Sequence, residues 1–325
     1  MKPMNLMCLA FLRKGKRLYL SLVFVAVGLF SCLDMEHKGV RNDIPTKGEL
    51  EIGIDINDSL MFNQLIARFH ELYPQAHIKP KYVSPIQLLE GVRDKKITAI
   101  YINYLFDTTM VKSLESRQIK VRSHIVGTAA TAFLVNKNNP NVGLSADSLY
   151  GMMAGNVKGW RGMGDAPLVW AFVKGDLAYN YLNDWYMHRK GSRQKTDALP
   201  PKFVQLNSPT AVFQYVQQNR GAMGFVGMNW IADRGDTLAR YLRKSVKVLA
   251  VQNDSTKEYH LPYQSQVYAK QYPFVAPVMG YDLQGYSGLA QGFLAFCCDQ
   301  GGQILLKKCG LSPAIPPTRT IQLLN

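Results

Sequence analysis

Six histidines, five cysteines and scattered serines and acids are the residues of this 325-residue chain that could do covalent or metal chemistry. His37, His70, His77, His124, His188 and His260 stand apart, with no HExxH or other pair at metal-ligand spacing. No GxSxG, Walker A or strand-following GxGxxG occurs, so neither a catalytic nucleophile nor a cofactor is implied. Gly285-Tyr286-Ser287-Gly288 starts the last long helix rather than presenting a nucleophile. Cys297-Cys298 and Cys309 lack the CxxC pairing of a zinc or redox site. On a helix over 288–300, Leu289, Phe293, Phe296 and Cys297 turn to one side, which reads as core. A Cys298–Cys309 disulfide is the alternative, open to an exported chain. Trp160, Trp170, Trp185 and Trp230 are spread without interleaved basic residues, a pattern for core and cleft packing rather than nucleic-acid stacking. The one basic cluster, Arg240 to Lys247, suits a solvated helix face; a contact with lipid headgroups or a permease is the alternative.

Net charge narrows the field further. The chain carries 38 Lys+Arg against 23 Asp+Glu, a formal +15, which taken alone points to nucleic acid or an acidic membrane. Residues 1–31 hold Lys2, Arg13, Lys14, Lys16 and Arg17 and no acid, so the remainder has 33 basic against 23 acidic residues. After that cluster, Leu18 to Phe30 is apolar, too short to cross a bilayer of ~30 Å but suited to a signal peptide. It ends at Leu29-Phe30-Ser31-Cys32, which resembles a bacterial lipobox, with Phe30 bulkier than usual. The expectation is a signal peptide over 1–31, a lipid on Cys32 and a polar tether over 32–47. The protein would then be anchored in the cell envelope, facing the periplasm or the exterior. A transmembrane anchor or a plain signal peptide is the alternative.

The rest alternates strand and helix. Leu50 to Asp55 alternates as a strand, and Asn57-Asp58-Ser59 offers a cap for a helix to Tyr73. Strands are expected at His77–Tyr82, Ile97–Leu105, Ala129–Asn136, Leu168–Val173, Ala222–Val226, Val246–Ala250 and Phe274–Tyr281. Ser84, Ser145, Asp176 and Ser208 stand where helices start, and Arg189–Pro201 reads as a surface loop. This order argues for parallel sheets faced by helices, with ligands beyond the carboxyl ends of the strands.

Several segments resemble phosphate-type solute-binding proteins. They are Leu144 to Trp160, Ser208 to Gly227 with Gly221-Ala222-Met223-Gly224-Phe225-Val226-Gly227, and Tyr272-Pro273 with Gly292-Phe293-Leu294, Gly302-Gln303 and Gly310-Leu311-Ser312-Pro313. Gly48-Glu49-Leu50 and Phe69 to Pro74 are similar to the lipoprotein branch, so the ordered set covers about residues 48–320. The resemblance implies a type 2 periplasmic-binding-protein fold: two α/β domains, 48–128 plus 270–325 and 129–269, hinged on two crossover strands. The crossovers fall near Gly127–Thr131 and Ser265–Tyr272. It also implies a monomer that is not an enzyme, and that delivers a small anion such as phosphate to an ABC permease. A ligand-free or sensory relative that uses the scaffold for protein contact is the alternative.

The same resemblance implies a site on four loops that follow strands. Its candidate residues are Asn57 and Ser59, then Ser84, then Asn103, then Lys174, Gly175 and Asp176. Ser59 and Ser84 would donate hydroxyls to an oxyanion. The third and fourth loops depart from the family pattern: Asn103 replaces the usual Arg or Ser/Asp, and Lys174-Gly175-Asp176 lacks the usual hydroxyl donors. Asp176 would repel a dianion unless Lys174 compensates or the ligand brings a proton. Each of Ser59, Ser84 and Asp176, taken alone, reads as a helix cap, and Lys174 as a solvated lysine.

Overall fold

The computed structural model describes residues 43–164, 166–190 and 202–315. The signal segment, Cys32 and most of the tether therefore lie outside the described residues, as does 191–201 of the expected surface loop. The first stretch runs β1 (Gly48–Asp55), α1 (Ser59–Leu72), β2 (Ala76–Val83), α2 (Pro85–Arg93), β3 (Ala99–Ile102), α3 (Thr108–Ser116) and β4 (Arg122–Asn136). Next come β5 (Gly143–Leu144), α4 (Ala146–Met153), β6 (Val169–Val173), α5 (Ala178–Lys190), β7 (Phe203–Leu206), α6 (Pro209–Gln218) and β8 (Ala222–Gly227). Then follow α7 (Asn229–Ala232), α8 (Thr237–Ser245), β9 (Val246–Val248), β10 (Ala250–Gln252), β11 (Tyr259–His260) and α9 (Gln264–Tyr268). The last described elements are β12 (Val275–Asp282), α10 (Leu289–Cys298), α11 (Gln300–Lys308) and β13 (Ser312–Pro313).

The main sheet has the order β2-β1-β3-β12-β4-β8-β6-β7, with β9 and β13 also paired to β4. β1 runs parallel to β2 and β3 at one end, and β6 parallel to β7 and β8 at the other. β12 and β4 lie antiparallel between the two parallel groups. β4 changes partner along its length: Arg122 to Ala130 pairs with β12, and Thr131 to Val135 with β8. Ser265–Tyr272, expected as a second crossover strand, begins instead as helix α9, and the extended chain starts only at Val275.

Apolar faces collect into separate cores. One gathers Phe133, Trp170, Phe172 and Phe225 between β4, β6 and β8, with Phe172 stacked on Phe225 at 4.4 Å. Another gathers Phe62, Phe69, Tyr101 and Phe293 beneath α1 and α10, with Phe69 edge-on to Phe293 at 5.2 Å. Such pairs contribute beyond their buried area. A smaller cluster holds Leu88, Ile100 and Phe106, the last stacked on Tyr281 at 3.8 Å. Cys297 and Cys309 are buried in the second core, and both they and Cys298 are free thiols.

Asp43 to Lys47, which the sequence reads as the end of the tether, belongs to the folded body. Asp43 Oδ2 accepts from the Leu289 amide at 2.7 Å, and Asp43 Oδ1 from the Tyr286 hydroxyl at 2.7 Å. It thereby caps α10, whose N-cap residue Gly288 has no side chain to do so. α8 carries the basic cluster, with Ala239 and Leu242 inward and Arg240 and Lys244 exposed.

Candidate functional site

The four loops do follow the strand ends, but they place their side chains in two different spaces. β1 ends at Asp55, whose carboxylate accepts from the Asn57 amide at 2.9 Å and closes a 3-10 turn over Ile56–Asp58. That turn buries the Asn57 side chain in the wall of a small cavity of about 30 Å³. Asn103, after β3, and Asp176, before α5, line the same cavity, together with Thr131, Tyr181 and Gly227. Asp176 also accepts from the Ala178 amide at 2.9 Å, so it caps the start of α5 while facing the cavity.

Ser84, Lys174 and Gly175 line a wider groove of about 520 Å³ with Gln87, Gln205 and Asn207. Ser84 caps α2 in a capping box with Gln87, its hydroxyl 3.4 Å from the Gln87 amide and 3.1 Å from Gln87 Oε1. Gly175 turns through φ +76°, and a Cβ there would stand 2.9 Å from Ser84 Cβ. The two loops approach closely here, and Asp176 also borders a third space of about 160 Å³ that shares Gly175, Ile86 and Gln205 with the groove. Ser59 lines neither space; its hydroxyl donates to the Ile56 carbonyl at 2.8 Å.

The cap expected from Asn57-Asp58-Ser59 takes another form. Asp58 occupies the N-cap position of α1 without a side-chain cap bond. Asn229 Nδ2 donates instead to Asp58 Oδ1 and to the Asn57 carbonyl, both at 3.0 Å, and Trp230 Nε1 donates to that carbonyl at 2.6 Å. On the opposite wall, the Tyr181 hydroxyl donates to the Asn103 carbonyl at 2.6 Å. Sequence reading missed Asn229, Trp230, Thr131 and Tyr181 as site residues. The one visible signal was Asn229, a lone amide inside the apolar run from Phe225 to Ile231.

Three carboxyls surround this place, and burial is the largest influence on each. It pushes Asp176 up to about 6, against the pull of the Ala178 and Leu177 amides. It pushes Asp58 up to about 7; Asp176 adds to the rise, while the Asn103 and Asn229 amides oppose it. Asp55 is raised well above the usual carboxylate range by burial, then by Asp58 and Asp176. Several polar atoms here have no partner: both side-chain amide atoms of Asn57, Oδ1 of Asn103 and of Asn229, and Oδ2 of Asp58. Unpaired buried groups of this kind are costly, and they mark a place where a ligand or water completes the bonding. Among the described residues, no group of three His, Cys, Asp or Glu side chains is arranged to hold a metal ion.

Residues 43–300 match the family model described as PBP superfamily domain, and the chain belongs to that family. Its fold is the type 2 periplasmic-binding-protein fold. The chain is similar to a Clostridium perfringens structure named as a phosphate ABC transporter substrate-binding protein, with phosphate bound. That match has 15% identity and a TM-score of 0.67, over 82% of this chain and 100% of the other. It is also similar to an ABC-type phosphate transport receptor from Vibrio cholerae, at 15% identity and TM-score 0.56, over 81% and 99% of the two chains. A third, named as a phosphate-binding protein from Planctomyces limnophilus DSM 3776, matches at 12% identity and TM-score 0.53, over 82% and 93%. No curated protein matches the chain in sequence.

Proposed function

We propose that this protein is the solute-binding member of an ABC import system, held to a bacterial membrane by a lipid on Cys32. It takes a small polar solute into the cavity between Asn57, Asn103 and Asp176 and delivers it, as a monomer, to a membrane permease. The observation that carries this reading is the Asn57 side chain, 5% exposed, facing the cavity with both amide atoms unpaired. A bound solute would give those atoms partners. Loops from both cores wall the cavity, so a solute there favours closure over opening.

Phosphate as the solute is a second reading, favoured by the phosphate-type names of the solved relatives. In this cavity phosphate would have to enter carrying protons, because the carboxyls nearby repel a dianion.

A thermal-shift screen of small polar solutes, followed by small-angle scattering on each hit, tests the proposal. A solute that raises the melting temperature and keeps the scattering profile compact supports it; a screen with no hit up to millimolar concentration contradicts it. Mutating Cys32 to Ala should abolish labelling by a radioactive fatty acid in cells, and unchanged labelling would refute the lipid anchor.

A further inference from the structure

We propose that the small cavity selects a small organic ammonium, its charged head among Asn57, Asn103 and Asp176 and its apolar body against Trp185 and Phe274. This inference rests on the reading of the cavity as the solute site. Its first support is a count of bonding needs. Among the residues that line the cavity, the unpaired buried atoms are two oxygens, Asn57 Oδ1 and Asn103 Oδ1, against one nitrogen, Asn57 Nδ2, with Asn229 Oδ1 unpaired behind the wall. The Asn229 orientation is fixed, because its Nδ2 donates to two oxygens and its Oδ1 lies toward Gly227 in the cavity wall. Oxygens in excess require donors, and an ammonium group supplies up to three. An oxyanion brings mainly acceptors, and would set oxygen against oxygen.

Charge points the same way. No lysine or arginine lines the cavity, and Lys174, the cation of the candidate set, is exposed at the outer groove. Asp176 lines the cavity, with Asp55 and Asp58 buried behind Asn57. Shape supplies the third support. A second space of about 140 Å³ shares Thr131, Ala178 and Tyr181 with the first, and is walled by Leu182, Trp185 and Phe274. Trp185 stands edge-on to Phe274 at 5.6 Å. The first space, with Asn57, Asn103 and Asp176 in its otherwise apolar wall, fits a charged head, and the second, walled by Leu182, Trp185 and Phe274, fits a short alkyl or aryl body.

Protonation gives the two ligand classes opposite signs. In the empty cavity Asp176 and Asp58 titrate at about 6 and about 7, and Asp55 is raised by burial and by both of them. An ammonium favours their ionised forms, so its binding releases protons and strengthens as pH rises. An anion favours the protonated forms and binds more weakly as pH rises. The other titratable groups nearby do not reverse this sign: Tyr181, pushed up to about 12 by burial and flanked by Tyr104 and Asp184, stays neutral across the range.

Isothermal titration of the protein with isobutylammonium chloride, isobutanol and sodium phosphate, near pH 6 and pH 8 at constant ionic strength, tests the inference. Isobutylammonium should bind, severalfold more tightly near pH 8, and at least tenfold more tightly than isobutanol or phosphate. Asp176→Asn should weaken it at least tenfold and flatten its pH dependence. Asn103→Ala, with folding checked by circular dichroism, should also weaken it, so the result does not hang on one variant's stability. Heat with phosphate and none with isobutylammonium, or affinity that rises as pH falls, overturns the inference and leaves the solute-binding reading standing. If neither ligand gives heat, this inference fails; the solute-binding reading fails with it only if the wider solute screen is also blank.

Discussion

The small cavity and the wider groove share the first and fourth loops, the cavity adding the third and the groove the second, and they divide the chemistry between them. The groove holds the cation Lys174 and the Ser84 hydroxyl, with amides of Gln87, Gln205 and Asn207. The cavity holds no cation; it has the Asn57 and Asn103 amides, the Asp176 carboxyl and the Thr131 and Tyr181 hydroxyls. An oxyanion site needs the first set turned inward, and here it faces outward. Strand ends and helix starts therefore fix where a ligand can sit, while single side-chain orientations decide what it can be.

The connections holding the cavity wall give the largest expected effect. Asn229→Ala removes a buried amide that serves both the Asn57 carbonyl and Asp58 Oδ1. Urea denaturation should show a loss of about 1–3 kcal/mol, because Asp58 is left short of a donor. Unchanged stability would mean that the wall does not depend on this contact.

The seam between groove and cavity comes next. Gly175→Val puts a β-branched residue at φ +76° and its Cβ against Ser84. The expected cost is roughly 1–3 kcal/mol by the same measurement. If the variant is as stable as the parent, the two loops do not meet as described.

The carboxyl cluster predicts a pH effect of intermediate size. Asp55, Asp58 and Asp176 are all raised above their unfolded values, so the folded state binds more protons than the unfolded one as pH rises from about 4. Their contribution to stability is fully present below the unfolded pKa and is lost as pH rises through about 6 to 7. The ligand-free protein should therefore melt several degrees higher near pH 5 than near pH 8 by calorimetry. Asp176→Asn should reduce that difference, and an opposite slope would contradict the desolvation of the buried Asp55 and Asp58 and the half-buried Asp176. The smallest effect belongs to the groove: Lys174→Ala should change stability by less than about 0.5 kcal/mol, since its side chain is exposed.

Much of this contrast was legible in the sequence, though only in its local parts. Alternation in Leu50–Asp55 and the apolar run Leu168–Val173 located strands, and the family resemblance pointed to Asn57, Asn103 and Asp176, which line one cavity. α3 was invisible because Leu114 is its one buried residue, which leaves no periodic stripe to read. The partners of Asn57 were invisible for a different reason: Asn229 and Trp230 stand 172 and 173 residues away in the chain. Which way Ser84 and Lys174 face depends on the turn at Gly175, and loop composition carries no sign of it. The likeness to phosphate-type proteins reads the scaffold, whereas donor and acceptor balance is set by atoms that no motif records.

The most direct test of the central claim is a crystal structure of the protein with its tightest solute bound. The account predicts the solute inside the small cavity, bonded to the Asn57 side chain and to Asn103. A solute held in the outer groove by Ser84 and Lys174, with Asn57 still unpaired, would contradict it.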